Sequence, residues 1–287
     1  MLLKRLLAAL AATFVLSAGH PVLAWDDGVT PFVVTPEAVV DRMLHFAAPK
    51  KGERLIDLGS GDGRIVIEAA KRFGTTGMGV DIDPRLVNLA RERAKRAGVE
   101  NLAEFHVRDL FETDLRGANI ITMYLLPEVN RQLVPRLKAQ LAPGTRIVSH
   151  DYDLGDWPYD EMIELPLAEK LVGPMGRSRI FLWVVPADAR GRWTWELPEH
   201  GGKWAFDIKQ ENQIVDVTLR SPTTPLLVRG ARLRGTELRL AITGLVSGKA
   251  YNHLFRGTVS PDGRIDGDVR VSDGDDFRTL PWKAVRQ

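Results

Sequence analysis

The stretch Asp57-Leu58-Gly59-Ser60-Gly61-Asp62-Gly63 decides the fold that this sequence predicts. It continues the apolar run Leu55-Ile56, which is typical of a buried strand, and a helical pattern begins at Arg64. Glycines between a strand and a helix let the chain turn sharply and let a ligand approach the backbone, because they carry no side chain. The stretch therefore predicts a loop that binds a nucleotide or an amino acid.

Segments on both sides of this loop alternate between strand and helix patterns. Strands are predicted at 54–58, 77–81, 103–108, 118–124 and 146–150, and helices at 38–46, 64–73, 84–97 and 127–141. This alternation predicts an α/β fold with a doubly wound, mostly parallel sheet. Residues 170–172 and 179–185 follow without a long helix between them, so we expect a terminal antiparallel hairpin and seven strands in all. That ending is typical of methyltransferase sheets.

The pattern changes near Trp193, after which short strands are separated by Gly-containing turns. These strands are predicted at 192–196, 204–209, 214–219, 226–233, 237–242, 251–259 and 264–271. They indicate a smaller antiparallel all-β domain, a meander or a barrel, with alternating Trp and Phe side chains as its core. Gly191-Arg192-Trp193 and Trp282-Lys283-Ala284 resemble the framing of lipocalin-like barrels. We therefore expect one domain at 25–188 and a second at 189–287.

Composition excludes several kinds of chemistry. The 39 Lys and Arg nearly balance the 37 Asp and Glu, so there is no strong basic field to bind nucleic acid. The chain has no cysteine, which excludes disulfides, thiolate metal sites and cysteine nucleophiles. His150 with Asp151 and Asp153 is too small a set of ligands to indicate a metal, and no metal site is predicted.

Acidic residues at the ends of the predicted strands indicate which cofactor the loop binds. Glycines at 59, 61 and 63 behind an acid at 57 differ from the GxGxxG spacing of dinucleotide-binding loops. They favour S-adenosylmethionine, whose ammonium can face the Asp57 carboxylate while loop amides meet its carboxylate. Asp81 can accept the ribose hydroxyls and Asp109 the adenine amino group. The residues predicted to bind the cofactor are Asp57, Gly59, Ser60, Gly61, Gly63, Asp81, Ile82, Asp109 and Leu110.

Each of these residues also has a purely structural interpretation, which the sequence leaves open. Gly59 can serve as turn punctuation, Asp57 can hold the loop amides, and Asp81 and Asp109 can cap the helices that follow them.

Four motifs carry a resemblance to a known family: Pro31-Phe32-Val33-Val34-Thr35-Pro36, residues 57–64, Asp81-Ile82-Asp83-Pro84 and Tyr124-Leu125-Leu126-Pro127-Glu128. Residues 31–157 resemble the bacterial relatives of the mitochondrial lysine methyltransferases that modify the c-subunit of ATP synthase. The resemblance implies a class I S-adenosylmethionine-dependent methyltransferase that acts on a protein lysine, with a membrane protein among its expected substrates. The family has a proline where Val34 stands, and the β-domain is an addition.

Methyl transfer to lysine requires a deprotonated amine held in line with the methyl group and shielded from water. The residues predicted to be catalytic are Tyr124, His150 and Asp151, and those predicted to bind substrate are Thr35, Glu128 and Asp153. Those that follow strands should share one edge of the sheet. His150 has a second interpretation as a hydrogen-bonded histidine at a strand end.

Two other functions stay open: a small-molecule methyltransferase whose β-domain binds an apolar substrate, and a non-catalytic S-adenosylmethionine-binding protein. The sequence does not indicate an oligomeric state.

Residues 1–24 have the three parts of a secretory signal: Lys4 and Arg5, an apolar run over 6–18, and Val22-Leu23-Ala24 as a cleavage site. The apolar run is shorter than the roughly 20 residues that a spanning helix needs. We expect an exported protein, periplasmic or associated with the inner membrane through a cleaved signal or an uncleaved anchor. The cytoplasmic face of the membrane is the alternative, because S-adenosylmethionine is made in the cytoplasm.

Overall fold

The computed structural model describes residues 32–168, 170, 173–197, 202–220, 226–246, 248–274 and 276–287. The chain divides into Met1–Phe32 and Val33–Gln287, and the fold given below is that of the second unit. The signal predicted at 1–24 lies outside the described residues. None of the helices in the described ranges is long and apolar enough to cross a membrane.

The first domain is built on a seven-stranded sheet. Its strands are β1 Arg54–Leu58, β2 Thr76–Asp81, β3 Ala103–Val107, β4 Ile120–Met123, β5 Arg146–His150, β6 Glu161–Pro166 and β7 Arg177–Val184. They lie in the order β3-β2-β1-β4-β5-β7-β6; β1 to β5 are parallel, and β7 is antiparallel to both of its neighbours. This arrangement confirms the predicted mostly parallel sheet and its terminal hairpin.

Helices cover both faces of this sheet. They are α1 Glu37–Ala47, α2 Arg64–Phe73, α3 Pro84–Arg96 and α4 Pro127–Gln140. Leu55 of β1 belongs to the core formed with α1, α2 and α3, whereas its neighbour Ile56 belongs to the core formed with α4. Both side chains are fully buried because successive residues of a strand point to opposite faces. The doubly wound prediction is therefore confirmed.

Two predicted features of the chain path were wrong. The first hairpin strand is β6 and not 170–172: Lys170 lies beyond it, and 171 and 172 lie outside the described residues. Strand β6 alternates half-buried and exposed residues, as an edge strand does, so it lacks the apolar run that marks buried strands. Between β3 and β4 the chain forms only the 3₁₀ helix Leu110–Glu112 and no crossover α-helix.

The second domain is an eight-stranded antiparallel sheet. Its strands are β8 Gly191–Leu197, β9 Gly202–Glu211, β10 Ile214–Arg220, β11 Leu226–Arg234, β12 Glu237–Val246, β13 Lys249–Val259, β14 Arg264–Ser272 and β15 Phe277–Arg286. In the order β10-β9-β8-β15-β14-β13-β12-β11, the edge strands β10 and β11 lie against each other, so the sheet forms a nearly closed barrel. The second wrong prediction was the set of strands in this domain, since β15 was missed. Pro281 and the charged residues around it mask its strand pattern.

Large aromatic side chains fill the interior of the barrel. Trp195, Trp204, Phe206, Phe255 and Trp282 are all buried, and their rings contact one another with centroids 4.9–6.4 Å apart. These are the alternating positions that the sequence assigns to the core.

The barrel packs against the end of the sheet that lies opposite the glycine loop. Gln213, between β9 and β10, accepts a hydrogen bond from Trp157 Nε1 at 3.1 Å, and its amide donates to the Pro158 carbonyl. The turn at Gly235 lies so close to Gly144 that an added Cβ would be 3.3 Å from Gly144 Cα. Gly144 precedes the amino end of β5, whereas the glycine loop follows the carboxyl end of β1. These barrel contacts thus leave the carboxyl edge free. The predicted boundary at residues 188 and 189 stays a prediction.

Candidate cofactor and acceptor site

The glycine loop joins β1 to α2 at the carboxyl edge of the sheet. Gly59, Gly61 and Gly63 have φ values of +74°, +52° and +78°, a region that side chains rarely adopt. There is also no room for a side chain, because a Cβ on Gly59 would lie 2.7 Å from Leu125 Cδ2 and one on Gly63 would lie 2.6 Å from Phe105 Cζ. Backbone conformation and packing together therefore require glycine here.

Asp81, at the end of β2, holds the loop in place. Its Oδ2 accepts a hydrogen bond from the Gly61 amide at 2.8 Å, and its Oδ1 accepts one from the Asp83 amide at 3.0 Å. The amides of Gly59 and Ser60 donate to the Val80 carbonyl at 3.0 and 2.9 Å. Each carboxylate oxygen can accept a further hydrogen bond, so the predicted contact of Asp81 with ribose hydroxyls stays a prediction.

Asp57 is a buried carboxylate at the centre of the site. It is 2% exposed, and its Oδ1 accepts a hydrogen bond of 2.6 Å from Thr122 Oγ1, whose residue lies opposite it on β4. Burial raises the pKa of Asp57 to about 7; the Thr122 hydrogen bond opposes this rise, and the negative charges of Asp81 and Asp62 add to it. No ion pair to Asp57 occurs among the described residues. This environment would be stabilised by a bound cation, which fits the ammonium of S-adenosylmethionine.

Asp62, also in the loop, has a different partner and a different role. Its carboxylate forms an ion pair with Arg64 at 2.5 Å and also contacts Arg93. Burial by itself would raise the pKa of Asp62, but the hydrogen bonds and the positive charge of these arginines lower it. Arg64 Nη1 donates to the Thr35 carbonyl at 2.6 Å. This network was not predicted, and it ties the segment before α1 to the glycine loop. Thr35 contributes its carbonyl here, and its role in substrate binding stays a prediction.

The predicted adenine slot lies beside the ends of β2 and β3. Ile82 is 53% exposed at this edge, which leaves an apolar surface for a planar ring. Asp109 caps the 3₁₀ helix by accepting a 2.8 Å hydrogen bond from the Phe111 amide, and Leu110 begins that helix half-buried. Asp109 thus has the capping role that the sequence left open, and the adenine contacts of these residues stay predictions.

Tyr124, His150 and Asp151 meet on the acceptor side of the edge. The rings of Tyr124 and His150 have centroids 3.9 Å apart, and the Asp151 carboxylate lies near the Tyr124 hydroxyl. Burial, with the charge of Asp151, raises the pKa of Tyr124 above its usual range, so its hydroxyl stays protonated. Asp151 is 3% exposed and has a φ of +65°. The structure thus brings the three predicted catalytic side chains together.

His150 itself is fully buried. Its Nε2 lies 2.8 Å from Ser178 Oγ on β7, and burial lowers the pKa of His150 to about 4. A buried neutral imidazole that already has a hydrogen-bond partner fits the strand-end interpretation better than that of a proton acceptor. Its catalytic role stays a prediction.

Lys170 is a residue of this cluster that the sequence did not indicate. Its ammonium binds the Asp151 carboxylate, Ser178 Oγ at 2.8 Å and the Arg177 carbonyl at 3.0 Å. Only the tertiary structure brings Lys170 and Ser178 to Asp151. No local pattern around them could have identified this contact.

The remaining predicted substrate residues lie at the rim. Glu128 is exposed and pairs with Arg131 at 2.8 Å, and Asp153 is exposed and accepts a hydrogen bond from the Gly155 amide at 3.0 Å. The buried Asn130 amide donates to the Tyr152 and Asp153 carbonyls at 3.1 Å each and so holds the chain after β5. The structure does not bring Glu128 or Asp153 into the Tyr124 cluster. No group of residues suited to hold a metal ion occurs in the described part of the chain.

Comparison with known proteins agrees with this geometry. The family profile described as the ANTKMT methyltransferase domain matches residues 57–161. A protein-lysine N-methyltransferase of Saccharolobus islandicus is 40% identical over 136 residues, which are 47% of this chain and 84% of that protein. The human lysine N-methyltransferase of the ATP synthase c-subunit is 32% identical over 46% of this chain and 56% of its own length.

The solved structure of an RNA methyltransferase from Salinibacter ruber, in complex with S-adenosyl-L-homocysteine, is 49% identical in sequence. The matched region covers 53% of this chain and 93% of that chain, with a TM-score of 0.48. The matched region spans most of the archaeal relative but only about half of the human one.

The family profile and the lysine methyltransferase relatives confirm the predicted methyltransferase domain, with S-adenosylmethionine as its cofactor, and the resemblance to the lysine methyltransferases of the ATP synthase c-subunit. The chain belongs to the family of protein-lysine N-methyltransferases.

Proposed function

We propose that this protein transfers the methyl group of S-adenosylmethionine to the side-chain amine of a lysine in a membrane protein. The single observation that carries the cofactor part is Asp57, a buried carboxylate with no cation partner among the described residues and with two further carboxylates near it. A ligand that brings an ammonium group would compensate this charge. When bound, S-adenosylmethionine supplies an electrophilic methyl group.

The acceptor part of the proposal is supported by the cluster after β4 and β5. An amine attacks only with a free lone pair, so the acceptor lysine must arrive neutral or lose its proton in a desolvated site. Tyr124 and the buried Asp151 provide oxygen acceptors that can orient the N–H groups of such an amine. No described side chain needs to act as a strong base, because desolvation already favours the neutral amine.

A membrane protein is the proposed substrate because the human relative is named for the c-subunit of ATP synthase, and because residues 1–24 are predicted to bring this chain to a membrane. The alternative in which the β-domain binds an apolar small molecule gains no support from the fold, since the described barrel contacts lie at the opposite end of the sheet.

Transfer of label tests this function. The full-length protein is incubated with methyl-labelled S-adenosylmethionine and a membrane fraction, and the hydrolysed proteins are analysed for methylated lysine. We expect label in lysine of membrane proteins and none with Asp57→Asn, while Asp266→Asn in the β-domain serves as the matched control that retains activity. Label confined to RNA, to small molecules or to no fraction would refute the proposal.

We also propose that residues 1–24 direct the protein to the membrane, either for export or as an anchor. A reporter that is active on only one side of the membrane, fused after Gln287, distinguishes the two faces. A soluble full-length fusion in the cytoplasm would contradict membrane association.

A further inference from the structure

The connection between β6 and β7 returns Lys170 to the acceptor side of the sheet. Strand β7 is antiparallel to β5, with His150 opposite Ile180, so the chain that enters β7 starts at the carboxyl end of β5. Backbone hydrogen bonds of 2.9 Å from Leu167 to Gly176 and of 3.0 Å from Lys170 to Leu167 hold this connection together. Lys170 therefore approaches Asp151 from a different element than the one that carries Tyr124.

Every N–H donor of the Lys170 ammonium has a hydrogen-bond partner. Its three N–H donors meet the Asp151 carboxylate, Ser178 Oγ and the Arg177 carbonyl. Its side chain is only 7% exposed, whereas the ion-paired Lys203 on the barrel is 85% exposed. A buried ion pair with every donor satisfied fixes geometry far more strongly than a surface pair does.

Asp151 transmits this fixed geometry to Tyr124. Besides Lys170, the Asp151 carboxylate accepts the Arg179 amide at 3.1 Å and lies near the Tyr124 hydroxyl. Two other titratable groups face it: the imidazole of His150, whose Nε2 lies at 3.4 Å and which burial keeps neutral at neutral pH, and the phenol of Tyr152, whose pKa is raised by burial and by the Asp151 charge. Lys170 thus supplies the positive charge that offsets this buried carboxylate.

We propose that Lys170 is a positioning residue for methyl transfer: by binding Asp151 it holds that carboxylate on the Tyr124 hydroxyl, so that the tyrosine oxygen presents its lone pairs to the acceptor amine. This inference rests on the proposed function. The Asp151 carboxylate is the acceptor available to the Tyr124 proton, so that the tyrosine oxygen acts toward substrate as an acceptor. As the N–C bond forms, the bond between the methyl carbon and the sulfur of S-adenosylmethionine breaks, S-adenosylhomocysteine leaves, and the positive charge passes from sulfur to the acceptor nitrogen, which afterwards releases a proton to solvent. An oriented acceptor stabilises that charge more than it stabilises the neutral amine.

Substitution at Lys170 tests the proposal. In Lys170→Met we expect kcat/KM for the lysine acceptor to fall by about tenfold or more, chiefly through kcat, because the interaction strengthens in the transition state. Lys170→Arg should recover most of this loss, since it restores the charge and the donors, and Lys203→Met is the matched surface control.

A measurement on the cofactor-free protein separates this proposal from the proposed function. The ¹³C resonance of Tyr124 Cζ reports the hydrogen bond of its hydroxyl, and we expect it to move in Lys170→Met but not in Lys170→Arg. If the wild-type protein methylates no lysine, the proposed function fails, and this resonance still tests the positioning. An unmoved resonance, an unchanged kcat/KM, or a loss that arginine does not recover would overturn the role of Lys170.

Discussion

Asp57→Asn should change the stability of the cofactor-free protein in a pH-dependent way. Burial raises the pKa of Asp57 from 3.8 to about 7, so the folded protein binds this proton more tightly than the unfolded chain does. The stability that protonated Asp57 contributes is fully present below pH 3.8 and is lost as the pH rises. Above pH 7 the folded protein holds an unfavourable buried charge. At about 1.4 kcal/mol per pKa unit, the raised pKa of Asp57 costs the fold about 4 kcal/mol at pH 8, where the buried group is ionised, and about 2 kcal/mol at pH 5, where folding must take up a proton.

Asparagine removes this charge and keeps an oxygen that can accept from Thr122. Its buried NH₂ group adds a cost of about 1–3 kcal/mol that does not depend on pH, so the difference between the two pH values is the measure. Urea unfolding of both proteins should show that the free energy of unfolding of Asp57→Asn, relative to wild type, increases by about 2–3 kcal/mol from pH 5 to pH 8. The control Asp62→Asn should lower the free energy of unfolding by the same amount at both pH values, because the pKa of Asp62 is lowered from 3.8 and its carboxylate is ionised in the folded and the unfolded protein from pH 5 to pH 8. If the free energy of unfolding of Asp57→Asn differs from that of wild type by the same amount at both pH values, the inference of a buried, uncompensated charge at Asp57 is refuted.

Three further predictions follow from the same structure. Gly63→Ala should abolish measurable cofactor binding by calorimetry and lower the free energy of unfolding by more than Gly117→Ala; both glycines have φ near +78°, but only a Cβ at Gly63 has neighbouring atoms within 4 Å. Equal losses of unfolding free energy in the two variants would show that the atoms packed around Gly63 do not contribute to this effect. Thr122→Val removes the hydrogen bond that lowers the pKa of Asp57, so cofactor affinity measured against pH should reach its maximum at a higher pH than in wild type, and an unshifted profile would contradict this. Gln213→Ala should lower the free energy of unfolding by about 1–3 kcal/mol, because it leaves buried polar groups unpaired, while kcat stays within about twofold of wild type; a large fall in kcat would link the barrel to catalysis.

The position of the barrel limits what it can contribute. Its described contacts with the sheet involve the turns at Gln213 and Gly235, both at the end away from the glycine loop. Arg234 adds an ion pair of 2.5 Å to Glu161 at the start of β6. The described contacts of the barrel therefore lie on the far side of the sheet from the glycine loop.

The sequence by itself determined the elements around the glycine loop. The predicted bounds of β1, α2 and β5 agree with the structure, because the apolar periodicity and the glycines that define these elements are local. The convergence of Asp57, Asp81 and Asp109 could also be predicted, since parallel strands end at a common edge. Strand β6 could not, because an edge strand with half-exposed side chains carries no strong apolar signal.

Only the tertiary structure decided the chemical state of the site. The buried environment of Asp57 includes Thr122, 65 residues away on a neighbouring strand, and the negative charge of Asp81. Asp151 likewise meets Lys170 across the β6–β7 connection, and no spacing in the sequence indicates this pair. Burial, desolvation and hydrogen bonds between distant segments set these properties, and they exist only once the strands have paired. The glycine loop could therefore be found from the sequence, while the charge beside it and the residue that orients Tyr124 depend on the folded molecule.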